Sequence, residues 1–147
     1  MLTSSPVKAL SLCRQLHAKQ IDRDGMPHFA HCMRVARRFS ENDLTIIALL
    51  HDAVEDTTIG FYPIAVKFGL KIATRVLALT HAENESWDNY IARVMKYPES
   101  ILVKIADIED NMNRADEKFL RKLEKYQITL NRLKVVAEEM GILHLLK

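Results

Sequence analysis

His51-Asp52-Ala53-Val54-Glu55-Asp56 closes a run that is otherwise almost pure hydrocarbon. Leu44, Ile46, Ile47, Ala48, Leu49, Leu50, Ala53 and Val54 are apolar nearly all round a helix, the mark of a central, buried element. Asn42 is placed to cap its start, and three carboxylates and an imidazole crowd its last turns. Acidic side chains at a helix C-terminus oppose the macrodipole, each by ~0.3–1 kcal/mol when exposed. Local violations of this kind mark functional sites, and a divalent cation would offset both the helix-end potential and the mutual repulsion of the acids. His51 and Glu55 stand four residues apart, as do Asp52 and Asp56, so they form two neighbouring stripes that one ion can meet.

Working outward, Ser5-Pro6 starts a first helix expected to reach Gln20, followed by a turn over 22–27. From His28 the apolar positions Phe29, Cys32, Ala36 and Phe39 recur at helical spacing, which sets His28, His31, Arg34 and Arg38 on an adjoining stripe. The basic run Arg34, Arg37, Arg38 reads as a solvated face. Downstream, helices are expected over 62–68 and 70–79, broken near Gly69, and over 87–97. The polar segment 81–86 between them is a candidate flap, with Trp87 and Tyr90 as core and cover. Pro98 opens a helix through Asn113 on which Lys104, Asp107, Asn111 and Arg114 share one face, amid Leu102, Ile105, Ala106 and Met112. A long amphipathic helix over 118–140 turns Leu120, Leu123, Leu130, Leu133 and Met140 inward and stops at Gly141. His17, His28, His81 and His144 read as structural or exposed. No strand pattern or repeat is present, so the expected fold is all-α, with 1–147 as one compact domain.

Composition narrows the function classes. Among 147 residues, 21 Lys and Arg barely exceed 19 Asp and Glu, so no global field favours nucleic acid or an anionic membrane. Any recognition of phosphate is local. The first dozen residues lack the pattern of a signal peptide, and no apolar stretch approaches the ~20 residues that span a bilayer, which makes the cytoplasm the expected location. Cys13 and Cys32 are too few for a disulfide framework and lack zinc-type spacing, so they read as buried thiols rather than ligands or redox centres.

His31, then His51-Asp52, then Asp107 resembles the HD-domain metal phosphohydrolases. The wider pattern is Gly25, Pro27 and His31; the run from Ala48 to Thr57; Phe68-Gly69; and Val103-Lys104-Ile105-Ala106-Asp107 with Asn111-Met112. It is similar, over roughly 17–114, to the hydrolase domain of the Rel/Spo-type alarmone enzymes, including their small stand-alone members. The resemblance implies an HD-type helical bundle that removes the 3′-pyrophosphate of guanosine tetra- or pentaphosphate with manganese. It implies His31, His51, Asp52 and Asp107 as ligands, and Glu55 and Asp56 as the acidic pair that positions or deprotonates the attacking water. Two imidazoles with two carboxylates suit Mn²⁺ or Fe²⁺. Arg23, Lys104, Asn111 and Arg114 are the candidate substrate-binding residues.

Several positions depart from that family. Asp22 stands where small members carry an Arg that packs on guanine, with Arg23 beside it; Ile108 replaces the Arg that often follows the ligand Asp; Asp110 replaces a His, and His28 a Tyr. The leading expectation is therefore a nucleotide 3′-pyrophosphohydrolase. The alternative, which Asp22 favours, is an HD phosphohydrolase of another nucleotide: a 3′-modified nucleotide, a nicotinamide dinucleotide phosphate or a deoxynucleotide. A third is a non-catalytic, antitoxin-like binder of a protein such as an alarmone synthetase, against which the intact ligand set argues. A homo-oligomer is compatible with all three.

Overall fold

Ser5 accepts a hydrogen bond from the Lys8 backbone N–H, and helix α1 (Pro6–Leu16) follows in the computed structural model, which describes residues 5–114 and 117–147. It stops short of the expected Gln20: the His17 N–H closes on the Cys13 carbonyl, and the Gln20 N–H turns back to His17. The connecting loop is folded on Asp22, whose Oδ1 accepts from the backbone N–H groups of Asp24 and Met26, while Gly25 takes the left-handed φ of +76°.

α2 (His28–Ala36) and α3 (Asn42–Leu50) come next. Every residue of α3 from Ile46 to Leu50 is buried, and the helix packs against α1, α2, α6 (Leu70–Ala78) and α8 (Pro98–Asn113). Truncating one such Leu or Ile to Ala costs ~2–5 kcal/mol, so α3 is a stiff platform for whatever its end carries. Glu41 rather than Asn42 occupies the N-cap, with no side-chain bond. α5 (Phe61–Phe68) turns into α6 at Gly69, whose φ of +93° and ψ of 160° suit glycine almost alone. α7 (Trp87–Val94) is capped by Ser86 and ends earlier than the expected residue 97.

α8 matches its expected bounds, and Ser100 to Ile108 are all buried, Lys104 and Asp107 included. The helix expected over 118–140 is instead two: α9 (Glu117–Leu120) and α10 (Leu123–Glu139). Phe119 stacks on Tyr126, ring centroids 4.9 Å apart, and takes the inward place assigned to Leu120, which is 58% exposed. Met140, also expected inward, is 44% exposed beside the helix end. Leu130 and Leu133 are buried against α8 as expected. The fold is all-α: among the described residues the single β-type pairing is an isolated bridge between Ile21 and Pro27. Among them, too, no helix is long and apolar enough to cross a membrane.

Candidate metal centre

The central helix does not run through Asp56. It ends at His51, where the backbone N–H reaches the Ala48 carbonyl at 3.5 Å, and a new short helix, α4 (Ala53–Asp56), begins with Asp52 as its N-cap. Asp52 therefore opens a one-turn helix that carries Glu55 and Asp56, instead of the three acids closing the central one, which removes part of the dipole conflict expected from the sequence. Asp52 makes no capping bond with its side chain. Its carboxylate is turned instead toward the histidines of the neighbouring helices.

Three elements bring the four ligand candidates together. His31 Nε2 lies 3.3 Å from His51 Nε2 and 3.0 Å from Asp107 Oδ1; His51 Nε2 lies 3.4 Å from the same oxygen. Asp52 Oδ2 is 3.3 Å from His51 Nε2 and 3.7 Å from His31 Nε2. Donor atoms that share one ion at bonds of roughly 2.0–2.2 Å stand roughly 3.0–3.5 Å apart. His31, His51 and Asp107 form one group whose donor atoms all lie within 4.8 Å of one another and could hold a divalent cation; Asp52 stands against the two imidazoles, outside that group.

Both imidazoles are oriented from behind. His51 Nδ1–H donates to the Ala48 carbonyl at 2.6 Å, and His31 Nδ1–H donates to Asp110 Oδ2 at 2.6 Å, so each ring turns Nε2 inward. A carboxylate behind a ligating histidine is a recurrent feature of metal sites. Asp110 is held in turn by Arg34 Nε at 2.9 Å and Arg114 Nε at 3.1 Å. Arg34, expected to be solvated, is part of this support. Lys104 Nζ donates to Asp107 Oδ2 at 2.8 Å and Asn111 Nδ2 to Asp107 Oδ1 at 3.1 Å, fixing the last ligand candidate.

The local field is strongly anionic. Burial opposes a charged His51 ring, yet Asp52 and Asp107 outweigh it and raise its pKa to about 10. Burial likewise opposes ionised Asp107, and Lys104 with the two imidazoles holds it well below the usual carboxylate range. Burial and the charges of Asp52 and Glu55 push Asp56 up to about 6. The same carboxylates that favour protons on the two imidazoles would favour a divalent cation in their place.

A cavity of about 370 Å³ opens over the cluster. His31, His51, Asp52, Glu55 and Asp107 line it, as do Arg23, Lys104, Asn111 and Arg114, while Trp87, Tyr90, Tyr126 and His81 supply an aromatic wall. Asp56 stands to one side, its Oδ2 3.7 Å from His28 Nε2. Arg23 Nη2 donates to the Asn111 carbonyl at 2.7 Å and its guanidinium covers the Phe119 ring at 4.7 Å. Arg114 Nη1 bonds Asp22 Oδ2 at 2.8 Å and Asp24 Oδ2 at 3.0 Å. Asp22 is thus a clamp on the end of α8. The segment 81–86, a candidate flap, is pinned: the His81 N–H donates to Glu55 Oε1 at 2.6 Å, and Arg93 binds Glu85.

Sequence reasoning missed His28 and Asp110. His28 Nε2 lies 3.0 Å from Asp52 Oδ2, one turn before His31 on the same helix. Asp110 follows Asp107 by three residues, so the helical period already put both on one face. Asp110→Asn is expected to weaken Mn²⁺ binding by about 10–100-fold while the fold persists, as a calorimetric titration with circular dichroism would measure.

No family model matches the chain. It is 29% identical to a probable GTP pyrophosphokinase of Mycobacterium leprae, over 92% of this chain and 19% of that protein. It is 30% identical to the guanosine-3′,5′-bis(diphosphate) 3′-pyrophosphohydrolase of Aquifex aeolicus, over 71% of this chain and 17% of that one. The chain therefore spans about a fifth of the length of the curated relatives it matches. Among solved structures, a metazoan ortholog of SpoT, described as hydrolysing ppGpp, superposes with a TM-score of 0.73 over 97% of this chain and 95% of that one, at 18% identity. That likeness gives the HD-type fold.

Proposed function

We propose, for a chain that is related in sequence and fold to the Rel/Spo (p)ppGpp enzymes, that its helices act as one hydrolase domain, a divalent-metal-dependent guanosine 3′,5′-bis(diphosphate) 3′-pyrophosphohydrolase. The observation that carries this reading is the convergence of His31 Nε2, His51 Nε2 and Asp107 Oδ1, with Asp52 Oδ2 against the two imidazoles, at the floor of a cavity lined by cations and aromatic rings. Those four residues would hold the ion, and the mixed nitrogen and oxygen donor set suits Mn²⁺ or Fe²⁺. When bound, the ion supplies Lewis acidity and a lowered pKa for water.

The chain's own residues divide the remaining work. Glu55, which lines the cavity, takes the proton of the attacking water as its oxygen adds to the phosphorus attached to the ribose 3′ oxygen. The bond from that phosphorus to the 3′ oxygen breaks, the oxygen takes up a proton from solvent to become the 3′ hydroxyl, and pyrophosphate is released. Asp56 keeps the acidic pair's second charge beside His28 and helps to orient the water. Lys104, buried and ion-paired with Asp107, places a fixed positive charge where phosphate oxygens gather. Asn111, Arg114 and Arg23 extend that surface, and the rings of Trp87, Tyr90 and Tyr126 suit a nucleobase.

Pyrophosphate release from guanosine 3′,5′-bis(diphosphate) tests the reading. Chelator-treated protein is expected to turn over only when Mn²⁺ is restored; no turnover by metal-loaded protein would remove this substrate. One observation favours a second reading: Asp22 clamps Arg114 at the position where relatives are expected to present a cation to guanine. A different nucleotide phosphoester then becomes the substrate, and a panel of 3′-modified nucleotides, nicotinamide dinucleotide phosphate and deoxynucleotides distinguishes the two.

A further inference from the structure

Behind the His/Asp cluster, three more donor atoms meet. Sγ of Cys13 on α1, Sγ of Cys32 on α2 and a ring nitrogen of His17 all lie within 4.8 Å of one another, and all three residues are fully buried. The tautomer of His17 is set by Gln20. The amide nitrogen of Gln20 donates to the Asp56 carbonyl at 2.7 Å, so its Oε1 is the acceptor to which His17 Nδ1–H donates at 2.7 Å. Nε2 is left with a lone pair, and among the described residues it is the one buried side-chain nitrogen or oxygen with no hydrogen-bond partner. Native folds rarely leave such an atom orphaned without a reason. The arrangement repeats that of His51, where a carbonyl behind Nδ1 turns Nε2 toward the ligand cluster.

We propose that Cys13, Cys32 and His17 form a second cation site, for Zn²⁺, alongside the His/Asp cluster, since Cys32 also lies within 4.8 Å of the ligand atoms of His28 and Asp52. Thiolate sulfur selects Zn²⁺ over Mn²⁺ and Mg²⁺, so the two sites sort ions by donor type. Two thiolates with one neutral imidazole balance the charge of a divalent ion, which is what a fully buried site requires. As the two Zn–S bonds form, the two thiol protons leave to solvent. His28 stands beside this group, its ring centroid 4.7 Å from that of His17 and its ligand atom within 4.8 Å of Cys32 Sγ, and it or a water would complete a four-donor set. The cysteines lack zinc-type spacing in sequence because the packing of α1 on α2, not a local loop, brings them together. A bound ion would pin these helices directly beneath His31.

Co²⁺, which takes the place of Zn²⁺ and reports its ligands by colour, tests this on the intact chain. Protein preloaded with Mn²⁺ is expected to take up one further equivalent of Co²⁺ with a sulfur-to-cobalt charge-transfer band in the near ultraviolet, bleached by Zn²⁺. The band is expected to persist in His51→Gln, to vanish in Cys13→Ser and Cys32→Ser, and to need at least about tenfold more Co²⁺ in His17→Phe. A wild-type titration without the band overturns the proposal, and so does a band unchanged in Cys13→Ser. Should the serine variants fail to fold, the wild-type titration alone decides. None of these readouts depends on catalysis, so a failure of the hydrolase reading leaves them interpretable.

Discussion

His51→Gln is expected to lower pyrophosphate release from guanosine 3′,5′-bis(diphosphate) by about four orders of magnitude, because without a bound ion the nucleophile is ordinary water. The substitution removes Nε2 from the middle of the cluster, 3.3 Å from His31 Nε2 and from Asp52 Oδ2, while nearly preserving side-chain volume. Asp107→Asn is a less clean choice. It would strip the partner from Lys104, a buried ammonium 2.8 Å from Asp107 Oδ2, and breaking a buried pair costs ~3–5 kcal/mol of stability. Thermal unfolding provides the control. Mn²⁺ at 100 times its dissociation constant stabilises a native site by ~2.7 kcal/mol, and that shift should be present in wild type and absent in His51→Gln. A variant that lost activity yet kept the full Mn²⁺-dependent shift would place the ion elsewhere.

Glu55→Gln is expected to reduce kcat by about 10²–10⁴-fold, the usual worth of a general base, with metal content and KM unchanged. The carboxylate faces the cavity, and its Oε1 also accepts the His81 N–H at 2.6 Å. Glutamine keeps that acceptor, so the tie to segment 81–86 survives and the loss reports the missing base. Asp56→Asn should cost less, since Asp56 faces His28 at the side of the site. Initial rates at saturating Mn²⁺ for both variants, with parallel elemental analysis, separate these roles. Equal losses in the two variants, or a Glu55→Gln enzyme that merely binds less metal, would reassign the base.

Much of this arrangement was legible in the residues. The hydrocarbon run through Leu50 identified the central helix because a helix apolar all round can only be buried, and Lys104, Asp107 and Asn111 fell on one face by period alone. The break at His51–Asp52 was not legible. Periodicity carries on through Asp56, whereas in the structure one helix becomes two where the Asp52 carboxylate turns toward the histidines. Asp110 and His28 were passed over because each departs from the family pattern, although each lies one turn from a ligand candidate. The split between α9 and α10 is accompanied by the stacking of Phe119 on Tyr126 across it, a contact that helical periodicity does not announce. Cys13 and Cys32 are buried free thiols, as their number and spacing suggested, while their meeting with His17 through the packing of α1 on α2 is something spacing alone does not announce.

The most direct measurement is an anomalous difference map at the manganese edge from crystals soaked in Mn²⁺. A single strong peak is predicted, within roughly 2.0–2.3 Å of His31 Nε2, His51 Nε2 and one carboxylate oxygen each of Asp52 and Asp107. A peak bonded to a different set of side chains, or no peak with the four donors in place, would contradict a shared ion at this site.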